Sequence, residues 1–410
     1  MGSELPADWD EARLGDCGRW LSGGTPSTQN PDFWGGDIPW ISGKSLTTHY
    51  LRDSDRRVTT LGAANGTRIA PRGSTLMVVR GMSLRTEFRS GIAMRELAFG
   101  QDCKAIIPRE GIEPRFLANA VRARAPEILG MVESSSHGTG RLATELIQAL
   151  RIGLPPMAEQ RAIVEVLGSL DDRIEWSKRV LQALEALLST TFGLLDRQQE
   201  ATTLRSVMEL TSGRSYKSID LVDHSTVGLI NLKNIPRGGG YRSEGVKGYS
   251  GAYKPSQVAN PGDLVLACTD LTQAGDVIGR VGRVRSHRDF ETLVPSMDLA
   301  LVRPSVDWVS SHVLAAVMSE SEYISHVKRY VNGTTVLHLD KRGVLDYEVR
   351  LPTAAALRDF AQFAGDVWER QDLLVSEADS LIGLRDALLP KLVSGELRID
   401  NPERLLDQVA

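Results

Sequence analysis

Two arginine-rich stretches carry the strongest chemical signal in this 410-residue chain. The stretch "VVRGMSLRTEFRSGIAMR" holds Arg80, Arg85, Arg89 and Arg95 against one acid, Glu87. The stretch "GRVGRVRSHRD" holds Arg280, Arg283, Arg285 and Arg288 before Asp289, at a roughly equivalent place in the second half of the chain. Guanidinium groups on loops that follow short strands can take phosphate oxygens and reach base edges. A solvated charged hairpin would look the same in one dimension. Lys44 and Lys233 recur at matching places, as do two polar turns, one with Thr139 and Arg141 and one with Thr334. These residues are the candidates for a surface that meets a polyanion.

Catalytic signatures are missing. The chain has no Gly-x-x-x-x-Gly-Lys-Ser/Thr phosphate loop, no His-Glu-x-x-His helix and no Gly-x-Ser-x-Gly elbow. Its seven histidines never fall at ligand spacing. The "NPDF" run at 30–33 resembles the base-holding loop of amino-methyltransferases, but Asp32 stands where a second proline belongs. The residues before it are also too few for a cofactor-binding sheet, so it is not read as a methyltransferase site. Cys17, Cys103 and Cys268 lie too far apart for a disulfide framework or a Cys-x-x-Cys metal site, and read as small buried hydrophobes. A reducing cytoplasm suits them. No metal ligand set and no cofactor site is expected on this chain.

Something must position these cations, and the clearest elements are two long helices. From "LPPMAEQRAIVEVLGSLDDRIE" onward, apolar side chains fall at Ile163, Leu167, Leu170, Ile174, Leu181, Leu184, Leu188 and Leu195, with Ser177 and Thr191 in the two gaps. Alternating steps of four and three mark a coiled-coil seam and predict a helix over about 157–196. Pro156 suits its first turn and Glu159 the positive helix end. A second stretch, "LPTAAALRDFAQFAGDVWERQD", repeats the plan with Leu357, Phe360, Ala364, Val367, Leu374, Ala378, Leu381 and Leu388, and Gln371 in the seam. Pro390 is expected to end or kink it.

The globular stretches repeat as well. "DIPWISGKSL" aligns with "TVGLINLKNI", "RGSTLMVVR" with "PGDLVLACT", and "HGTGRL" with "NGTTVL", at offsets of 189, 189 and 195, and the two helix beginnings follow at 197. Each unit reads as about 150 strand-rich residues followed by a long helix. Short runs such as "STLMVV", "CKAIIP", "GDLVLAC" and "MDLALVRP" predict strands. "PRFLANAVRARAPEILGMV" and "WVSSHVLAAVMSESEYISHV" predict helices beside them. The fold class is α+β with an internal duplication.

Net charge is −4, which gives no global signature for nucleic acid. Its distribution is more informative. Residues 1–156 and 201–352 each carry +2, whereas 157–200 and 353–410 carry −3 and −5. The acidity sits on the helical stretches, which makes them poor partners for a polyanion and suitable ones for protein. The N-terminus is polar, with no secretory signal pattern, and no run reaches the roughly 20 apolar residues of a membrane helix.

The two helix beginnings also carry a family resemblance. "LPPMAEQRAIVEVLGSLDDRIE" is similar to the central conserved helix of specificity subunits of type I restriction–modification enzymes. "LRDALLPKLVSGELRI" resembles their C-terminal conserved end, and "GGTPSTQNPDFWGGDIPWISGKSL" the opening of their target-recognition domains. The resemblance implies two globular mixed α/β target-recognition domains, 1–155 and 201–352. It implies a central conserved helix over 156–200 and a C-terminal one over 353–395, packed antiparallel as a spacer, with a tail over 396–410. It implies a cytoplasmic, non-catalytic subunit that reads a bipartite, asymmetric site in double-stranded DNA. Two methyltransferase subunits would bring S-adenosylmethionine and clasp the helices, and a restriction subunit can join. Glu159, Gln160, Arg161 and Arg358 are the implied partner contacts. The second helix departs from the pattern, since Glu159-Gln160 becomes Ala356-Leu357. The competing reading is a non-catalytic protein-interaction scaffold with two binding modules on a coiled coil.

Overall fold

The computed structural model describes residues 5–134, 139–198, 200–272 and 274–399. His137 of the first recurring turn and the tail from 400 lie outside them. The chain folds as two compact units. The first is 1–176 with 378–410, and the second is 177–377. Both units are mixed α/β.

In the first unit, a five-stranded sheet runs in the order Gly18–Ser22, Cys103–Pro108, Thr75–Val78, Ser90–Ala93, Tyr50–Leu51. The second unit matches it with Met208–Ser212, Leu299–Pro304, Leu264–Ala267 and Val281–Arg283. Each unit adds one parallel pair, Trp34–Ile41 with Leu97–Phe99 and Val227–Ile230 with Thr292–Pro295. Each closes its globular part with an antiparallel pair, Asp10–Arg13 against Arg151–Leu154 and Thr202–Thr203 against Glu348–Val349. The duplication read from a drifting offset is therefore a duplication of strand order. Even a close backbone approach recurs: a Cβ on Gly23 would stand 2.2 Å from the Gly100 carbonyl oxygen, and one on Gly213 would stand 2.1 Å from that of Ser296.

The four expected strands form with nearly the expected bounds, because continuous apolar runs flanked by Gly and Pro suit buried strands. The two expected helices each break in two. Pro114–Ala123 is followed by Ala125–Gly130, and Ser311–Val317 by Ser321–Val327. Pro126 cannot donate to a continuing first helix. The caps correspond too: the Glu113 carboxylate accepts from the Phe116 N–H at 2.7 Å, and the Ser310 hydroxyl from the Val313 N–H at 3.4 Å.

The central helix runs Met157–Gly193 and the C-terminal helix Ala354–Ser394. Within each unit a segment of one lies antiparallel to a segment of the other. In the first, Glu159 meets Arg398 and Asp171 meets Arg385, so residue numbers rise along one segment as they fall along the other. In the second, Phe192 packs against Phe360, with ring centroids 4.9 Å apart, and Gln198 Nε2 donates to the Pro352 carbonyl at 3.4 Å, so the numbers again run in opposite directions. Ile163, Leu167, Leu170, Ile174 and Ser177 are buried as the spacing requires. The later seam differs. The helix stops at Gly193 instead of 196, and Phe192 is the buried anchor there while Leu181, Leu184, Leu188 and Leu195 are half-buried. A bulky ring one position off the heptad fills the space that the expected seam residue would have filled. Every expected residue of the C-terminal seam except the half-buried Leu388 is buried, Gln371 included. Pro390 does not end that helix, which continues to Ser394 because Leu389, Leu392 and Val393 are anchored in the first unit's core. All three cysteines are free and buried. Among the described residues no helix is long and apolar enough to cross a membrane.

Candidate nucleic-acid interface

The polar turns of the sequence sit in small three-stranded sheets, one in each unit. In the first, Arg80–Gly81 pairs with Gly140–Arg141, which pairs with Glu133–Ser134. The register sets Arg80 directly opposite Arg141. Like charges across an antiparallel pair repel. Both side chains are exposed, and neither has an ion-pair partner among the described residues. Such a pair is relieved by an anion bound between them.

Two more loops close on the same sheet. A Cβ on Gly43 would lie 3.8 Å from the Arg80 carbonyl oxygen, which brings the Lys44 loop alongside. Arg89 donates from Nη1 to the Gly43 carbonyl at 3.3 Å and from Nε to Glu87 at 2.8 Å. Lys44 and Arg85 are exposed. Thr139 begins the return strand and its side chain is half-buried. The fold thus gathers Lys44, Arg80, Arg85, Arg89, Thr139 and Arg141. Arg95 stands apart, its Nη2 3.5 Å from the Asp37 carbonyl that also receives Arg57.

The second unit builds the same small sheet from Thr269–Asp270, Leu337–Leu339 and Val331–Asn332. His338 takes the place of Arg141 and Asn332 that of Glu133. Asn332 opens the second of the two polar turns read from the sequence, whereas sequence reading missed His338. The offset of 197 that links the two helix beginnings would have found His338. Thr334 is exposed in the adjoining turn, and Lys233 is exposed on its own loop.

The second arginine cluster is not the structural counterpart of the first. Strand register matches Ser90 to Val281 and Ile92 to Arg283, so only Arg89 and Arg280 correspond. Arg283 reaches Asp372 at 2.6 and 2.8 Å, and its guanidinium lies 4.6 Å from the Trp368 ring centre. Arg285 lies 3.1 Å from the same carboxylate. Burial, and then the neighbouring Arg283, lower the pKa of Arg285. These two arginines dock the second globular part on its helix segments. Together with Arg280 they line a cavity of about 270 Å³.

The helix beginnings divide in the same way. The Glu159 carboxylate accepts from Trp9 Nε1 at 3.0 Å and from Arg398 at 2.7 and 3.0 Å. Gln160, 2% exposed, accepts from the Glu113 N–H at 2.8 Å and donates to the Pro155 and Gly111 carbonyls. Leu357, at the matching place in the second unit, is buried and apolar. Gln160 is spent on backbone groups, whereas Leu357 joins the apolar core of its unit. Arg161 and Arg358 are exposed, and neither has an ion-pair partner among the described residues. The Asn30 side chain of the "NPDF" run accepts from the Asp32 N–H at 3.0 Å, so it caps a 3-10 turn. Among the described residues no group of metal-ligating side chains occurs.

Residues 6–186 match the family described as type I restriction modification DNA specificity domain. The chain is 23% identical to the type I restriction enzyme MjaIX specificity subunit of Methanocaldococcus jannaschii, over 97% of this chain and 95% of that one. That similarity, at 23% identity, runs nearly the full length of both chains. A specificity subunit of Escherichia coli, that of EcoR124I/EcoR124II, is 30% identical over 160 residues, 38% of this chain and 40% of that one. In fold, the crystallised type I S subunit from M. genitalium is similar over 96% of this chain and 99% of its own, with a TM-score of 0.53 at 13% identity. The likeness in fold extends over both α/β units and the long helices.

Proposed function

We propose that this chain is the DNA-recognition subunit of a type I restriction–modification complex in the cytoplasm, and that each unit reads one half of a bipartite, asymmetric site. The observation that carries the reading is the facing pair Arg80 and Arg141, with Lys44 and Arg85 beside it. Phosphate contacts set position, and the turns beside them reach base edges. The duplicated sheet presents different side chains in the second unit, Asn332 and His338, so the two halves would read different sequences. On this reading the chain itself is non-catalytic. The methylating chemistry and S-adenosylmethionine would enter with methyltransferase subunits seated on the acidic helices, where Arg161 and Arg358 remain available as contacts. A restriction subunit could join the same assembly.

The test is selection from random-sequence DNA by this chain assembled with its cognate methyltransferase subunits. A gapped, asymmetric consensus is expected. Uniform weak binding would reject the reading in favour of a protein-interaction scaffold. Replacing Arg80 and Arg141 together by alanine should cut the slope of log affinity against log salt by roughly 2, about 0.9 for each phosphate no longer neutralised. It should erase preference in one half of the consensus only. Loss in both halves alike would mean that the units do not read separately. Because the repulsion across the strand pair is also relieved, thermal stability should hold or rise slightly.

A further inference from the structure

Met82 is 59% exposed and Leu271 is 72% exposed. Single exposed apolar side chains are ordinary on protein surfaces. These two are notable because they occupy the same place in both units. Each directly follows the two-residue strand at the edge of the small sheet, Arg80–Gly81 in one and Thr269–Asp270 in the other. Gly81 pairs with Gly140 and Asp270 with Leu337, so the positions agree in register as well as in sequence. The neighbouring side chains have diverged between the units, yet this one has stayed large and apolar.

Neither residue sits on a loose loop. Leu271 follows Asp270, whose buried carboxylate accepts from the Thr272 N–H and hydroxyl at 2.8 Å each and from the Val277 and Ile278 N–H groups at 2.8 and 3.3 Å. Four hydrogen bonds to one carboxylate fix the backbone on either side of an outward-pointing leucine. Met82 opens a 3-10 turn over Met82–Arg85, in which Leu84 is buried and the Thr86 and Glu87 N–H groups donate to the Ser83 carbonyl at 3.0 and 2.7 Å. Each unit therefore uses buried contacts to hold an apolar side chain in water. In the first unit Arg80 stands two residues before that side chain and Arg85 three after it, and Arg141 faces Arg80 across the strand pair. A held apolar tip on the same small sheet as exposed arginines suits a ligand with a charged backbone and an apolar interior.

We propose that Met82 and Leu271 make matching apolar contacts with DNA bases, one in each half-site. The inference rests on the reading above and assigns specificity to two residues that carry no charge or hydrogen-bonding group. Bases offer two apolar targets, the 5-methyl group of thymine and the face of a base at an opened step.

The test uses the complex with its methyltransferase subunits and compares wild type with Met82→Ser, Leu271→Ser and Met82→Leu. Met82→Ser should lose roughly tenfold in preference at one position of one half-site, and Leu271→Ser should do the same in the other half. Met82→Leu should keep the wild-type consensus. Uracil in place of thymine at the affected position separates the two targets. A loss confined to wild type identifies the methyl group. Unchanged binding with a 2-aminopurine fluorescence rise that the serine variants lack identifies the opened step. Both serine variants selecting the wild-type consensus with wild-type affinity would overturn the inference and leave the bipartite reading intact. If wild type itself selected no gapped sequence, the functional reading would fall, and this inference with it. Equal melting temperatures of the four proteins establish that folding is not what changed.

Discussion

Replacing Asp171 by alanine should destabilise the first unit by about 3–5 kcal/mol, the cost of removing one partner from a buried charge cluster. The Asp171 side chain is 7% exposed and sits on the central helix. It accepts from Tyr50 Oη at 3.1 Å, from Arg122 Nη1 at 3.4 Å and from Arg385 Nη1 at 3.1 Å. Four elements meet at one carboxylate: the edge strand of the main sheet, the helix Pro114–Ala123 and a segment of each long helix. Arg385 keeps a second acid in Asp386, at 2.7 and 2.9 Å. Arg122 has no other ion pair among the described residues, and burial already lowers its pKa, with Asp171 opposing. Asp171→Asn keeps the shape and loses the charge, so it should fall between wild type and alanine. Denaturant unfolding followed by a probe in each unit measures both variants, and an unchanged first-unit midpoint in alanine would contradict this assignment.

Acid should weaken the same unit through His49. Both ring nitrogens are buried without a hydrogen-bond partner, and the ring meets Tyr50 edge-on with centroids 4.9 Å apart. Burial first, then Arg122, Arg385 and Arg115, push its pKa down to about 4, with Asp171 pulling the other way. Unfolded, the ring titrates near 6.5. Between those values the unfolded chain holds the extra proton, so stability is complete above about pH 6.5 and falls as the pH drops towards 4. The expected loss from pH 7 to pH 5 is about 2 kcal/mol. His49→Leu should flatten that dependence of the first unit's denaturant midpoint, and an unchanged slope would exclude the histidine as its source.

These features differ in how far the sequence displays them. The central seam as far as Ser177, the C-terminal seam and the buried strands are local patterns, and the offsets of 189 and 197 carry the duplication; these could be read in one dimension, whereas the anchoring by Phe192 could not. The candidate interface could be read only in part. Lys44, Arg80, Arg85 and Arg141 are displayed together, but the facing of Arg80 and Arg141 depends on pairing two strands about 60 residues apart. Arg283 and Arg285 look like the first cluster in composition, yet they are held by Asp372 on a helix far along the chain. Gln160 looks like a surface residue at a helix beginning, yet it is spent on three internal hydrogen bonds. In each case the deciding partner is distant in sequence, and residue type alone does not name it.

The two junctions between globular part and helix are unlike each other, which constrains how such a gene can be shuffled. At the offset of 197, Trp368 stands where Asp171 stands and Leu188 where Arg385 stands. Trp368 packs on His312, with ring centroids 4.0 Å apart, and beneath Arg283. A chimaera that moved the first globular part onto the other helix segments would set Arg122 and Tyr50 against tryptophan and leucine, and bury a guanidinium with no acid to meet it. Productive crossovers should therefore fall inside the helices, near 176 and 377, so that each module travels with its own stretches of rod.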